Sequence, residues 1–108
     1  MNDFMRPALY NAWQDIIPIT LHSTLEAKTY DIVGPICESA DFLGQERRLR
    51  LKPGDILAVL MAGAYGFCMS SNYNSRLRPA EILVDDDKAE LIRRRETIQE
   101  MFALEQRN

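Results

Sequence analysis

The stretch GDILAVLMAGAYG, residues 54–66, indicates the fold class most directly. Residues 56–61 are apolar on both faces of an extended chain, which predicts a central, buried strand. KPGD at 52–55 predicts a turn before this strand, and two glycines follow it. Proline and glycine recur so often on both sides that no segment before residue 80 has room for a long helix. The body of the chain is therefore predicted to be rich in β-structure.

Further strands are predicted on either side of this central one. Five short segments have the alternation or the β-branched composition of strands: 15–21, 29–33, 47–51, 81–84 and 88–92. Pro18, in the first of them, cannot donate a hydrogen bond to a neighbouring strand. The last two flank the aspartates 85–87, which predicts a hairpin.

Two short helices are predicted near the ends of the chain. Residues 6–13 can form one, with Pro7 in its first turn. Towards the C-terminus, Thr97 and Glu100 have the spacing of a capping box. The apolar face of this second helix is formed by Ile98, Met101 and Phe102.

Composition and charge limit the classes of function. The 108 residues are 46% hydrophobic and 27% charged, which suits one small domain with a packed core. The net charge of -3 gives no support to a nucleic-acid partner. The N-terminus does not read as a signal peptide, and the longest apolar run, 56–64, is too short to span a bilayer. We therefore expect a cytoplasmic protein with no membrane partner.

Several common binding motifs are absent from the sequence. His22 is the single histidine and there is no Cys-x-x-Cys pair, so no metal site is expected. There is no glycine-rich phosphate loop. The three lysines, Lys28, Lys52 and Lys88, lack the context of a buried, reactive amine.

The segment GPICESAD, residues 34–41, holds the first candidate site. Cys37 and Glu38 follow an apolar segment, at the end of a predicted strand. The carboxylate can bind an ammonium group through a charge-assisted hydrogen bond, and the thiol can serve as a weak proton donor. The alternative is a small buried cysteine beside an exposed loop glutamate.

Two further segments are candidates for ligand binding. In RPALY, residues 6–10, Arg6 and Tyr10 share one face of the predicted helix and can grip a carboxylate; the alternative is a surface arginine over a packed tyrosine. In residues 61–79, Tyr65 lies between two glycines that permit close approach of a ligand, and polar residues follow. The alternative there is a structural loop. Cys68, within this segment, is predicted to pack as a small apolar side chain.

These segments occur in the order and spacing of one family. RPALY, GPICESAD, GDILAV, AGAYG, MSSNYNSRLRPAEILV and LIRRRET together resemble the C-terminal part of bacterial diaminopimelate decarboxylase, over about residues 1–104. That enzyme is a fold-type III pyridoxal-phosphate decarboxylase. The resemblance implies that residues 1–108 are its C-terminal sheet domain: mainly β, a sandwich or Greek-key barrel-like fold, with a short N-terminal helix and a C-terminal helix.

The resemblance also implies a role for each candidate residue. Arg6 and Tyr10 resemble the pair that binds a substrate carboxylate, and Cys37 resembles a catalytic cysteine that assists protonation of the substrate carbanion. Glu38 resembles the acidic residue that contacts the distal ammonium of the substrate. Related decarboxylases of ornithine or arginine commonly have aspartate there, so Glu38 favours diaminopimelate. Tyr65 resembles a tyrosine that contacts both the cofactor phosphate and the substrate.

The implied reaction converts meso-2,6-diaminopimelate to L-lysine and carbon dioxide with pyridoxal 5'-phosphate as cofactor. The implied assembly is a homodimer in which Cys37 and Glu38 enter the active site of the partner subunit. These 108 residues lack the TIM-like barrel and its Schiff-base lysine, so we expect the chain alone to be inactive. Two alternatives stay open: a fragment that dimerises with a full-length decarboxylase and regulates it, and a stand-alone β-domain that binds a small amino acid.

Overall fold

The computed structural model describes residues 3–106, and its regular structure is mainly sheet. The strands are β1 (Ile16–Pro18), β2 (Lys28–Val33), β3 (Phe42–Leu49), β4 (Leu57–Val59), β5 (Glu81–Asp85) and β6 (Lys88–Arg93). The helical segments are all short: 3₁₀ turns at Pro7–Leu9 and Tyr73–Ser75, and the α-helices α1 (Gly63–Gly66) and α2 (Ile98–Met101). The predicted mainly-β class is confirmed.

The strands pair antiparallel in three two-stranded sheets, β1–β4, β2–β3 and β5–β6. No strand pairing joins one sheet to another within residues 3–106. The β5–β6 pair is the predicted hairpin, with its turn at Asp86 and Asp87. In the β1–β4 pair, Ile16 lies opposite Val59 and Pro18 opposite Leu57.

The β2–β3 pair carries the loop of residues 34–41. β3 begins at Phe42, five positions before the predicted strand. Between the pairs Tyr30–Arg47 and Ile32–Gly44, β3 has one residue more than β2. Such a bulge bends a strand and redirects its side chains. The last pair joins Val33 to Phe42, so the loop leaves and rejoins the sheet at one point.

A small hydrophobic core packs the N-terminal segment against β1 and β3. It consists of Met5, Ile16, Leu43 and Ala62, none more than 8% exposed. The radius of gyration is 16.2 Å, whereas a compact domain of this size has a value of about 13 Å. The chain is therefore elongated, and much of its apolar surface lies outside the core.

The segment 56–61 is not the central, buried strand that its composition predicts. Only Leu57–Val59 is a strand, and Ile56 and Met61 are 71% and 89% exposed. A strand is buried on both faces only when further layers cover it. Within residues 3–106, β4 has one partner strand, β1, and this explains the exposure.

Both predicted helices are shorter than expected. The segment 6–13 forms only the 3₁₀ turn Pro7–Leu9, and Asn11 beyond it has φ 49°, a left-handed conformation that ends helices. The capping box is confirmed: Thr97 Oγ1 accepts a hydrogen bond from Glu100 N, and Glu100 Oε2 accepts one from Thr97 N. The helix it starts is a single turn.

Candidate functional site

The loop of residues 34–41 presents the predicted catalytic cysteine to solvent. The Gly34 amide donates a hydrogen bond of 2.7 Å to the Asp41 carbonyl and closes the neck of the loop. Cys37 is exposed and carries a free thiol, whereas the side chain of Glu38 is only 21% exposed. The alternative of a buried cysteine beside an exposed glutamate is therefore wrong on both counts.

Glu38 forms an ion pair with Arg6. Arg6 Nη2 donates to Glu38 Oε1 at 3.0 Å, and the guanidinium lies 5.8 Å from the centre of the Tyr73 ring. Met5 and Pro7, on either side of Arg6, are both buried, which fixes the backbone from which it projects. The structure thus places a carboxylate and a guanidinium side by side, two groups that can form charge-assisted hydrogen bonds to an ammonium and to a carboxylate.

Tyr10 and Tyr65 meet at an open cavity of about 520 Å³. The cavity is lined by Met5, Pro7, Tyr10, Ala12, Gln14, Tyr65, Cys68 and Met69. Tyr65 projects from α1, between the glycines at the two ends of that helix. Both phenol-bearing side chains are largely exposed, and most of the lining is apolar. This is a surface with two phenol groups free to meet a ligand or another polypeptide.

The turn Pro7–Leu9 connects these two pairs. Arg6 precedes the turn and points to Glu38, and Tyr10 follows it and lines the cavity with Tyr65. Because the segment is a 3₁₀ turn and not a helix, the predicted shared helical face of Arg6 and Tyr10 does not form. Cys37 stands next to Glu38 in the loop and is not part of the cavity lining.

Polar side chains after α1 bond mainly to their own surroundings. Ser70 Oγ donates to the Phe67 carbonyl, and Asn72 Nδ2 donates to the Arg76 carbonyl and to Glu96. These contacts favour the structural interpretation of this part of the loop. Cys68 is exposed at the cavity and does not pack as a buried apolar side chain, which corrects the prediction.

Arg76 ties the same loop to the N-terminal segment. Its Nε and Nη2 donate to the two carboxylate oxygens of Asp3 at 2.8 and 3.2 Å. Burial alone would raise the pKa of Asp3, but the hydrogen bond and the charge of Arg76 outweigh it, and the pKa of that carboxyl is lowered. The bidentate pair holds the start of the chain next to the loop that follows α1.

Sequence reasoning overlooked two residues at the site. Tyr73 flanks Arg6, and Asp41 is 4% exposed at the base of the loop. The signal for Tyr73 was its place within a polar loop, and that for Asp41 was a carboxylate at the end of GPICESAD. Neither signal alone identifies the residue that Tyr73 or Asp41 contacts.

Two other kinds of site are absent from the part of the chain that the structure describes. No helix there is long and apolar enough to cross a membrane. No group of three or more histidine, cysteine, aspartate or glutamate side chains is arranged there to hold a metal ion.

Comparison with known proteins gives consistent matches. The family model described as pyridoxal-dependent decarboxylase, C-terminal sheet domain, matches residues 1–63. A diaminopimelate decarboxylase of Vibrio cholerae is 59% identical over 105 residues, 97% of this chain and 25% of that enzyme. One of Pseudomonas fluorescens is 60% identical over 103 residues, 95% of this chain and 24% of that enzyme. The chain thus spans about a quarter of the length of these curated relatives.

A solved structure shows the same fold. The diaminopimelate decarboxylase of M. jannaschii in complex with L-lysine superimposes with a TM-score of 0.85 at 42% identity, covering 95% of this chain and 24% of that one. At this identity the likeness extends to sequence as well as to fold.

Proposed function

The chain belongs to the family of C-terminal sheet domains of pyridoxal-dependent decarboxylases, and from this we propose that it is the substrate-recognition part of a diaminopimelate decarboxylase. The complete enzyme would convert meso-2,6-diaminopimelate to L-lysine and carbon dioxide. The observation that carries the proposal is the Arg6–Glu38 pair at 3.0 Å. The 59% identity to the Vibrio cholerae enzyme supports the same reaction.

The geometry of this pair suits one end of the substrate. Diaminopimelate has two amino-acid ends separated by three methylene groups, and each end carries an ammonium and a carboxylate on one carbon. Because the Arg6 and Glu38 charges are 3.0 Å apart, they match the two groups of a single end. Arg6 binds the distal carboxylate and Glu38 binds the distal ammonium, and Tyr10 contacts the substrate from the cavity that it shares with Tyr65. L-Lysine, present in the M. jannaschii structure, carries the same end.

Cys37 would act at the other end of the substrate. Decarboxylation breaks the bond between the α-carbon and its carboxylate, carbon dioxide leaves, and the electron pair stays on the α-carbon. Cys37 Sγ–H donates a proton to that carbon, and solvent reprotonates the thiolate. The exposure of the free thiol supports this role, as does its place beside Glu38.

The described residues fit one edge of pyridoxal 5'-phosphate. The exposed Tyr65 phenol is a hydrogen-bond donor suited to a phosphate oxygen. When bound, the cofactor supplies the electron sink for the pair left on the α-carbon. None of the three lysines lines the cavity with Tyr65. The lysine that attaches the cofactor therefore belongs, in this proposal, to another part of the complete enzyme.

In the complete enzyme, we propose, the domain works as part of a cytoplasmic homodimer. The loop of residues 34–41 carries Cys37 and Glu38 into the active site of the partner subunit, and Arg6 accompanies Glu38 because the two are paired. The three two-stranded sheets become parts of one sandwich or Greek-key barrel when further strands join them. The exposed apolar side chains of Ile56 and Met61, which flank β4, and those of the β5–β6 hairpin support this arrangement.

A domain exchange tests the proposed function. This chain replaces the corresponding quarter of the Vibrio cholerae enzyme, and lysine formation from meso-diaminopimelate is measured. We expect activity, and we expect a matched chimera with Glu38→Ala to lose most of it. A folded, dimeric, cofactor-loaded chimera that forms no lysine would refute the proposal. The chain alone, given cofactor and substrate, is expected to form no lysine above background.

A second function, binding to a full-length decarboxylase, is favoured by one specific observation. Five apolar side chains of the β5–β6 hairpin are each more than half exposed: Ile82, Leu83, Val84, Leu91 and Ile92. Surfaces of this kind mark contacts between polypeptides. Mixing the chain with a full-length decarboxylase and measuring mass by light scattering tests this function, and a heterodimer supports it. Absence of any complex at micromolar concentrations would exclude it.

A further inference from the structure

The loop that carries Cys37 and Glu38 is closed by bonds to one residue, Asp41. The Asp41 carbonyl accepts from Gly34 N at 2.7 Å, and its amide donates to the Glu38 carbonyl at 3.2 Å. Ile36 and Glu38 are themselves joined, since Glu38 N donates to the Ile36 carbonyl at 2.9 Å. The backbone on both sides of Cys37 is therefore held in a closed ring of hydrogen bonds.

The Asp41 side chain adds a further hydrogen bond within this loop. Asp41 Oδ2 accepts a hydrogen bond of 2.8 Å from the Ile36 amide, directly before Cys37. Asp41 is only 4% exposed, although an aspartate is seldom buried unless its charge is compensated. A buried carboxylate that accepts a backbone N–H forms a strong, directional bond. The carboxylate thus fixes the backbone from which the thiol projects.

Gly34 provides the space for that carboxylate. A Cβ atom at residue 34 would lie 2.1 Å from Asp41 Oδ2 and 2.4 Å from Oδ1. No side chain at this position is compatible with the observed place of the carboxylate. Gly34 and Asp41 are therefore a matched pair, and a change at either one disturbs the same contact.

We propose that Asp41 is a positioning residue for the decarboxylation, and that it acts through the Ile36 amide on Cys37 and Glu38. This inference rests on the proposed function. The bond from Asp41 sets the distance between the thiol that delivers the proton and the carboxylate that holds the distal ammonium. Because one loop carries both groups, displacing it alters substrate binding and proton delivery together.

Three variants of the chimeric decarboxylase separate this role from a purely structural one. Asp41→Ala removes the acceptor, Asp41→Asn keeps an acceptor oxygen without the charge, and Gly34→Ala displaces the carboxylate without changing it. A displaced catalytic group costs between about tenfold and about hundredfold in rate. We expect this loss in kcat/KM for Asp41→Ala and Gly34→Ala, with KM raised and kcat lowered. Asp41→Asn should stay within about threefold of wild type.

Separate measurements of KM and kcat, together with amide hydrogen exchange, decide between a positioning role and a purely structural one. A structural role alone lowers the amount of folded enzyme, which reduces apparent kcat and leaves KM unchanged; that result overturns the proposal. Faster exchange of the peptide 34–41 in Asp41→Ala and Gly34→Ala, but not in Asp41→Asn, supports it. Exchange equal to wild type in all three variants overturns it. If Asp41→Ala does not fold, the Gly34→Ala and Asp41→Asn pair gives the same decision.

The two proposals fail in different ways. A wild-type chimera that forms no lysine refutes the proposed function, whatever the variants do. A wild-type chimera that forms lysine, with Asp41→Ala and Gly34→Ala equally active, refutes only the role of Asp41.

Discussion

The guanidinium of Arg6 lies 3.0 Å from the carboxylate of Glu38, although the two residues are 32 positions apart in sequence. Their side chains are 28% and 21% exposed, so water screens the attraction between them. Ion pairs of this kind contribute little to stability. A pair that adds little to the fold and joins two groups of opposite charge is well suited to exchange its internal contact for a zwitterionic ligand.

Removing the pair should therefore affect function more than folding. We expect Arg6→Met and Glu38→Gln each to change the free energy of unfolding by less than about 1 kcal/mol, measured by urea denaturation of the chain. In the chimeric enzyme, each should raise KM for diaminopimelate at least tenfold, by about 1.4 kcal/mol of binding. A coupling energy above about 2 kcal/mol in the double-mutant cycle of unfolding would contradict this interpretation.

The small core predicts unequal effects of two leucine truncations. Leu43 is 5% exposed in the core and Leu91 is 57% exposed on β6. Leu43→Ala should lower the free energy of unfolding by about 2–5 kcal/mol, and Leu91→Ala should change it by no more than about 0.5 kcal/mol. Guanidinium denaturation of both variants is the measurement. A large loss for Leu91→Ala would show that the hairpin is covered in solution.

The stacking of Arg47 on Trp13 can be tested by fluorescence. Arg47 is 7% exposed, and its Cζ lies 3.1 Å from the centre of the Trp13 ring. Trp13→Leu should cost about 1–2 kcal/mol through the lost cation–π contact, and Trp13→Phe should cost less. Since Trp13 is the single tryptophan, its emission also reports the contact directly. Emission that does not change in Arg47→Met would argue against the stack.

The stability of the C-terminal helix α2 should depend on pH through the ionisation of Glu100. The hydrogen bonds from Arg94, and then from Thr97, lower the pKa of Glu100 from 4.5 to about 2. Because the pKa is lower in the folded chain than in the unfolded one, the stabilisation is complete above pH 4.5 and is lost as the pH falls towards 2. Carboxyl carbon shifts in an NMR titration measure this pKa. Arg94→Met should return it towards 4.5, and an unshifted wild-type value would refute the contact.

Local chemistry allowed part of the fold to be predicted. The hairpin around residues 85–87 and the capping box of Thr97 and Glu100 each depend on a few neighbouring residues, and both are confirmed. The burial of residues 56–61 depends instead on which layers cover the strand. Because β4 pairs only with β1 within residues 3–106, the apolar composition of this segment alone did not predict the exposure of Ile56 and Met61.

The candidate site shows the same division. Arg6, Tyr10, Glu38 and Tyr65 were all selected from the sequence, but helical spacing suggested that Arg6 acts beside Tyr10. The structure pairs Arg6 with Glu38 and brings Tyr10 to Tyr65. Asp41 was overlooked because its contact with Ile36 depends on how the loop closes, and no periodicity records that closure.

The division into three two-stranded sheets leaves every strand among residues 3–106 with one edge unpaired. Open edges expose rows of N–H and C=O groups that serve as templates for strands of other molecules. Charged side chains on β6 oppose such pairing, and Pro18 removes a donor from β1, but Leu57–Val59 of β4 carries neither kind of protection. Among these strands, β4 relies on its short length alone to oppose intermolecular strand addition. A polypeptide that covers that edge also keeps the domain from aggregating.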